Sequence, residues 1–240
     1  MCPGNPALAG TYIEGIKVSK EVKILGVWFD NNVMARDNCK NWEGKIKSTQ
    51  NILRSWNKRD LSTFGKVLIL KTFALSNFIY LMQSIGMPKN VIKELNTMCY
   101  KFIWKKDMES DTKIFDRVKR DVMTNNYEDG GIQMFDLEKH QHAFYLDWAE
   151  RFLKDDVKEW KEIPMESLNY LGGKTAFEGE ISWDKFKGIF SSYSCFWNEV
   201  LETWHKYKSE LNDSIPQFHD GTVIFNNINI SFKNKPLWSP

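Results

Sequence analysis

Apolar and polar positions nearly alternate over the first thirty residues, which is typical of half-buried β-strands. Leu25-Gly26 interrupts the alternation, and a glycine inside a strand often marks a bulge or a close backbone approach. We therefore expect a hairpin or small meander that packs on another part of the chain, because two or three strands alone are marginally stable. The alternating apolar residues are Ile13, Ile16, Val18, Val22, Ile24, Val27 and Phe29.

A helical period replaces the alternation from Asp37 onwards. Apolar or small residues recur at steps of four and three and so share one helical face; they are Trp42, Ile46, Thr49, Leu53 and Trp56. At about 100° per residue, polar and basic residues fall on the opposite face; they are Lys40, Lys47, Asn51, Arg54 and Lys58. The pattern predicts one helix from Asp37 to Arg59 with an apolar stripe and a basic stripe.

Two further helices are predicted in the middle of the chain. Ser62 is suited to cap a helix that reaches about Gln83, and because this helix is apolar nearly all round we expect it in the core. Residues 86–88 (Gly-Met-Pro) end it, and a third helix is predicted from Asn90 to about Trp104. The residues expected to face inward on the third helix are Ile92, Leu95, Met98, Cys99, Phe102 and Ile103.

The rest of the chain alternates between irregular and helical patterns. Residues 107–131 are expected to be irregular, and Asp136 to cap a helix from Leu137 to Leu153. A polar connection over residues 154–182 precedes a long helix carrying aromatic residues from Phe186 to Tyr207, and residues 222–232 have β character. The predicted fold class is mainly α: a small N-terminal β-hairpin or meander, then a helical bundle, then a helical C-terminal connection region.

Charge is distributed unevenly, although the net charge is only +2. Residues 36–106 contain 14 Lys and Arg against four Asp and Glu, whereas residues 107–240 contain 16 against 24. This distribution indicates that the basic middle part alone faces an anionic polymer. The alternative, in which the two parts attract each other within one fold, stays open.

The spacing of the cysteines and the apolar stretches indicate in which cellular compartment the protein is expected. Cys2, Cys39, Cys99 and Cys195 have no paired spacing, so we expect free thiols in a reducing compartment and no CxxC zinc site. No signal-peptide pattern opens the chain, and the most apolar stretch, residues 67–82, is interrupted by Lys71 and Asn77. We expect an intracellular protein, nuclear or cytoplasmic, without a membrane partner.

Three short patterns suggest chemistry but fail on their context. Residues 173–175 (Gly-Lys-Thr) resemble the end of a phosphate-binding loop, but Leu168 stands where that loop needs its first glycine. His140 and His142 are two residues apart on a predicted helix and point to nearly opposite sides, so they do not chelate one metal. Residues 155–156 (Asp-Asp) follow an amphipathic helix, and we expect a solvated helix end there rather than a two-metal site.

Several short stretches occur in a recognisable order. They are residues 22–29, 41–42, 45–46, 53–56 and 61–71, then Ser76, Tyr80 and Pro88, then residues 102–104, 130–132 and 136–137 with Ala143 and Trp148, followed more loosely by 196–197, 200–201, Trp204 and 235–238. Their order and spacing resemble the region that follows the catalytic motifs in LINE-type (non-LTR) retrotransposon reverse transcriptases. The resemblance covers residues 20–153 well and the rest loosely.

The resemblance implies a division into three parts: a β remnant of the polymerase palm in residues 1–35, a thumb-like helical domain in residues 36–153, and a connector in residues 154–240 with one long helix and a terminal β segment. It places the turn at Leu25 and Gly26 near the primer end. It also implies that the thumb-like part holds an RNA/DNA template–primer duplex without catalysing a reaction. With the basic stripe, it gives these candidate nucleic-acid-binding residues: Lys40, Lys47, Arg54, Lys58, Arg59, Lys66, Lys105 and Lys106.

The family's Tyr/Phe-Ala-Asp-Asp active-site strand is not found in this sequence. We therefore expect no catalytic residue, no metal ligand and no cofactor in this chain; Mg²⁺ would belong to the N-terminal polymerase core, which is the expected protein partner. Two other hypotheses stay open. The chain is a helical protein-interaction module that docks through the apolar side of its hairpin, or it is a degenerate retroelement remnant without activity.

Overall fold

The computed structural model is mainly helical and begins with short antiparallel hairpins, as the sequence predicts. It describes residues 12–13, 15–30, 34–105, 114–154, 156–168, 173–177, 195–211, 231–232 and 235–236. The chain divides into two compact units, Pro3–Gln141 and His142–Pro240. The three-part division implied by the resemblance stays a prediction.

Two hairpins open the N-terminal unit. Leu25 and Gly26 form the two-residue turn of the second, and both have positive φ angles (48° and 85°), which is the geometry of a type I′ turn. The predicted irregular step is therefore the turn itself and not a bulge within a strand. The strands pair as β1 (Tyr12–Ile13) with β2 (Ile16–Lys17), and β3 (Glu21–Ile24) with β4 (Val27–Asp30).

Helices make up most of the same unit. The first helix begins six residues later than predicted, because Asn38 accepts a hydrogen bond from the Lys40 N–H (3.0 Å) and starts a separate 3₁₀ turn. Ser62 caps the next helix as predicted, accepting the Gly65 N–H at 3.2 Å. The elements are a 3₁₀ turn (Cys39–Asn41), α1 (Glu43–Asn57), α2 (Thr63–Ile69), a π-helical segment (Leu70–Leu75), α3 (Ser76–Ile85) and α4 (Lys89–Trp104).

The expectation that the second helix is buried on all sides is wrong. The inner side of the run from α2 to α3 is fully buried at Leu70, Ala74 and Phe78. Its outer side exposes apolar residues to solvent: Phe64, Leu68, Phe73, Ile79 and Tyr80. Thr63–Ile85 forms 23 helical residues, which by length and composition alone would be enough to cross a membrane. The core helix of a soluble protein passes the same test, and the inner side of this run is buried.

The core of the N-terminal unit forms around α4. All six inward residues predicted on this helix are buried. After α5 (Arg120–Thr124), α6 (Leu137–Leu153) begins and ends where the sequence predicts. Asp136 Oδ1 accepts the N–H groups of Glu138 and Lys139, both at 3.1 Å, which confirms the predicted cap.

An aromatic core holds the C-terminal unit together. Phe152 of α6 is fully buried and lies 5.5 Å from Phe177 and 5.4 Å from Trp197, measured between ring centroids. The part of the predicted long helix before Cys195 lies outside the described residues, as does most of the predicted β segment. The elements of this unit are a 3₁₀ turn (Glu159–Lys161), α7 (Glu162–Leu168), a 3₁₀ turn (Gly173–Phe177), α8 (Cys195–Leu211), and β5 (Ser231–Phe232) paired with β6 (Lys235–Pro236).

Candidate nucleic-acid interface

Helix α1 has the two faces that its sequence predicts. Trp42, Thr49 and Leu53 are buried against the rest of the unit. Lys47 and Arg54 are exposed on the opposite face, together with Lys58 at the helix end. The basic stripe therefore lies on the solvent side of α1.

A groove of about 410 Å³ runs between α1 and α4. Gln50 and Arg54 line it from α1. Lys93 and Lys101 line it from α4, with Glu94 as the one acid among the lining residues. The remaining lining residues are Asn90, Thr97 and Met98. Three cationic side chains against one carboxylate make this groove attractive to an anion.

Lys93 and Lys101 were not among the candidate residues predicted from the sequence. The signal was present, since Lys89, Lys93, Thr97 and Lys101 recur every four residues and so lie along one side of α4. That side is opposite the buried residues and adjoins α1 only because the two helices pack together. Sequence spacing within one helix does not reveal which second helix lies beside it.

Lys40 lies apart from the basic stripe. It belongs to the 3₁₀ turn, where its ammonium donates to the Glu21 carboxylate and lies 5.3 Å from the Trp28 ring centroid. The hydrogen bond to Glu21 raises the pKa of Lys40. This lysine ties the hairpin to the start of α1, so we remove it from the set of phosphate-binding candidates.

Lys66 is also engaged inside the fold. Its Nζ donates to the carbonyl oxygens of Phe102 (2.9 Å) and Ile103 (3.1 Å), which lie in the last turn of α4. Burial lowers the pKa of Lys66. A cation at a helix C-terminus satisfies carbonyls that have no intrahelical partner, so Lys66 joins α2 to α4 and leaves the candidate set as well.

Arg59 lies at the end of α1 on an aromatic stack. Its guanidinium carbon is 4.2 Å from the Trp56 ring centroid. Trp56 in turn stacks on Phe73 of the π-helical segment, with 5.8 Å between ring centroids and 25° between ring planes. We call these three side chains the Arg59–Trp56–Phe73 stack.

The turn at Leu25 and Gly26 is fixed to helix α3. The Tyr80 hydroxyl donates to the Leu25 carbonyl oxygen at 2.6 Å, and the Leu25 side chain is 86% exposed.

Of the two basic residues after α4, Lys105 is half-buried, and Lys106 lies outside the described residues. The structure thus leaves Lys47, Arg54, Lys58 and Arg59 of the original candidates on the described surface of α1 and its end.

His140 and His142, which the sequence excludes as a metal-chelating pair, contact different partners. His140 Nδ1 is 3.0 Å from the Asp136 carbonyl oxygen, and His142 Nδ1 is 3.1 Å from the Tyr207 hydroxyl. Within the described ranges, no group of three or more His, Cys, Asp or Glu side chains is arranged to hold a metal ion.

Asp156 forms ion pairs with two lysines. Its carboxylate accepts from Lys158 at 2.7 Å and from Lys161. The hydrogen bonds from these ammonium groups, that from Lys158 being the stronger cause, lower the pKa of Asp156 to about 2. Asp155 lies outside the described residues.

No protein-family model and no curated protein sequence matches the chain. The likeness to LINE-type reverse transcriptases therefore rests on the order of residues set out above, and any function has to be argued from the groove and its surroundings.

Proposed function

We propose that the N-terminal unit holds nucleic acid by its phosphate backbone and takes no part in catalysis. The observation that carries the proposal is the groove between α1 and α4, in which Arg54 faces Lys93 and Lys101. Lys47 and Lys58 extend this cationic surface along α1 on either side of Arg54. Lys and Arg side chains neutralise phosphates and release counterions, which gives affinity without sequence preference.

The spacing of the lysines along the groove suits the phosphate backbone of a nucleic acid. Lys93 and Lys101 are eight residues apart in one helix, which is about 12 Å along its axis. One strand of a duplex carries a phosphate about every 3.4 Å along the axis. The two ammonium groups would therefore reach phosphates about three to four nucleotides apart on the same strand.

The likeness to LINE-type reverse transcriptases suggests which nucleic acid this unit would bind and which protein would be its partner. In that case the ligand is an RNA/DNA template–primer duplex, and the protein partner is an N-terminal polymerase core that carries the catalytic carboxylates and Mg²⁺. The turn at Leu25 and Gly26 would lie near the primer end, held there by Tyr80. The setting would be intracellular.

The test is binding of a fluorescent RNA–DNA hybrid to the full chain across a range of salt concentrations. We expect tight binding at low salt that weakens steeply as salt rises. The triple variant Lys47→Glu, Lys93→Glu, Lys101→Glu should lose about tenfold or more in affinity, and the slope of log affinity against log salt should fall by about 3.

A second triple variant controls for net charge. Lys20→Glu, Arg117→Glu and Lys119→Glu change the net charge by the same amount at exposed positions that do not line the groove. This variant should bind nearly as well as the unaltered chain. If both triple variants lose affinity equally, the groove is not the site. If the unaltered chain does not bind at low salt, or binds regardless of salt, the proposal fails.

The apolar hairpin favours a protein-interaction module as the second candidate. Val22 and Ile24 are 47% and 48% exposed, and they lie beside the exposed Leu25 at the tip of the hairpin. A surface of this kind can dock another protein. Reversal of Lys47, Arg54 and Lys58 to Glu should abolish nucleic-acid binding under the first candidate and leave protein association intact under the second.

A further inference from the structure

We propose that the Arg59–Trp56–Phe73 stack holds an unpaired base, so that the protein prefers a nucleic acid with a single-stranded segment next to the duplex. The inference rests on the proposed function and names the form of nucleic acid that the same surface selects. It is carried by the geometry of the stack, by the exposure of its ends and by the cations around it.

The geometry is that of a base-stacking platform. A guanidinium group and two aromatic rings are held against each other, with Trp56 in contact with both Arg59 and Phe73. Proteins that bind unpaired nucleotides use these two chemical groups, because every base has a π-face that stacks on an aromatic ring or on an Arg plane.

The outer members of the stack are open to solvent. Phe73 is 46% exposed, and Arg59 is exposed at the end of α1. Trp56 is only partly buried between the helices and fixes the position of the other two side chains. A base that stacked on Phe73 would extend an arrangement that already exists, so little ordering of side chains would be needed.

The surrounding charge favours an anionic ligand. Lys58 and Arg59 directly follow α1 and are both exposed. Asp60 is the one acid between residues 57 and 71. Lys58 also ends the basic stripe of α1, so the adjacent residues Lys58 and Arg59 connect this stripe to the stack at the end of the helix.

The backbone at Phe73 is itself unusual. Phe73 stands in the π-helical segment Leu70–Leu75, and π-helical turns occur frequently at functional sites. Phe64, on the same helical run, provides a contrast. It is 57% exposed but lies against Tyr127, with 5.9 Å between ring centroids, and it has no part in the stack.

The experiment compares two probes with the full chain at one salt concentration: a blunt RNA–DNA hybrid, and the same hybrid with a single-stranded overhang. The unaltered protein should bind the overhang probe more tightly, by about 5- to 150-fold for one stacked base. Phe73→Leu should remove this preference and leave the affinity for the blunt hybrid unchanged. Phe73→Trp should keep the preference, and Phe64→Leu should change neither affinity.

Several outcomes would overturn the inference: equal affinity of the unaltered protein for both probes, a preference that persists in Phe73→Leu, or an equal loss in Phe64→Leu. If the blunt hybrid binds in a salt-dependent manner but no preference for the overhang exists, the stacking site fails while the proposed function stands. If neither probe binds, both fail.

Photo-crosslinking provides a second measurement in case Phe73→Leu does not fold. An overhang that contains a photoreactive uracil should crosslink to the unaltered chain in the peptide that contains Phe73. Crosslinks confined to the α4 side of the groove would contradict the inference.

Discussion

Asn41 takes the place of a neighbouring strand beside Trp28. The Trp28 N–H donates to Asn41 Oδ1 (2.7 Å), and Asn41 Nδ2 donates back to the Trp28 carbonyl oxygen (3.0 Å). The same Nδ2 donates to the carbonyl of Ala35 at 2.7 Å. Because Asn41 is 4% exposed, this buried amide satisfies the outer edge of β4 and joins the hairpin to the turn before α1.

Replacement of Asn41 should therefore weaken the fold. In Asn41→Ala the backbone groups of Trp28 lose their partners, and we expect a loss of about 1–3 kcal/mol in the free energy of unfolding, measured by urea denaturation. Asn51→Ala, on the exposed face of α1, is the matched control and should stay within about 0.5 kcal/mol. Equal effects of the two substitutions would show that the Asn41 contacts contribute little.

Gly131 should tolerate no side chain. A Cβ at this position would lie 2.1 Å from the Asn125 carbonyl oxygen, which is backbone and cannot move aside without breaking the turn. We expect Gly131→Ala to lower the melting temperature strongly or to prevent folding. Gly44→Ala is the contrast, because a Cβ there meets no atom within 4 Å and α1 should gain up to about 1 kcal/mol. Similar melting temperatures for the two variants would contradict this.

The two described free cysteines should differ in reactivity. Cys39 is exposed, whereas Cys99 is buried in α4, and burial raises the pKa of its thiol to about 12. The thiolate is the reactive form, so an alkylating reagent should modify Cys39 in the native protein and Cys99 only after unfolding. Peptide mass spectrometry distinguishes the two sites. Rapid native labelling of Cys99 would contradict the packing of α4.

Acid should weaken the C-terminal unit through Asp156. The pKa of this carboxyl is held at about 2 in the folded chain, below its ordinary value of 3.8. The ion pairs therefore contribute stability above pH 4 that is lost as the pH falls towards 2. Asp156→Asn should flatten the dependence of melting temperature on pH in this range. Lys161→Met should flatten it in part, because Lys158 still pairs with the carboxylate. An unchanged profile in Asp156→Asn would contradict the assignment.

Helix starts were predictable where they depend on neighbouring residues. Ser62 and Asp136 bond to N–H groups two or three residues ahead, so the short-range pattern contains the whole interaction. The α4 stripe was predictable for a similar reason, since its six apolar residues have helical spacing. By contrast, the nearly uniform apolar run from α2 to α3 carries no sign of which side meets the core, and Phe64 and Leu68 are exposed against expectation.

The candidate site was less predictable because its contacts join distant parts of the chain. Lys40 bonds to Glu21, 19 residues away, and Lys66 bonds to the carbonyl of Phe102, 36 residues away. Helical spacing shows that a lysine lies on the outer face of its helix, but it does not show which residues of the rest of the chain lie opposite that lysine. For the same reason, the contribution of Lys93 and Lys101 to the groove became visible only when α4 was placed beside α1.

Leu25 carries a consequence for engineering the hairpin. With φ at +48° it occupies a left-handed conformation that Asn or Gly adopts at lower cost. Leu25→Asn should therefore give a more rigid hairpin, and the Tyr80 anchor should survive because it uses the backbone carbonyl. The same substitution removes the large apolar side chain at the hairpin tip. One position therefore controls both the stability of the turn and the amount of apolar surface that the hairpin tip exposes to water.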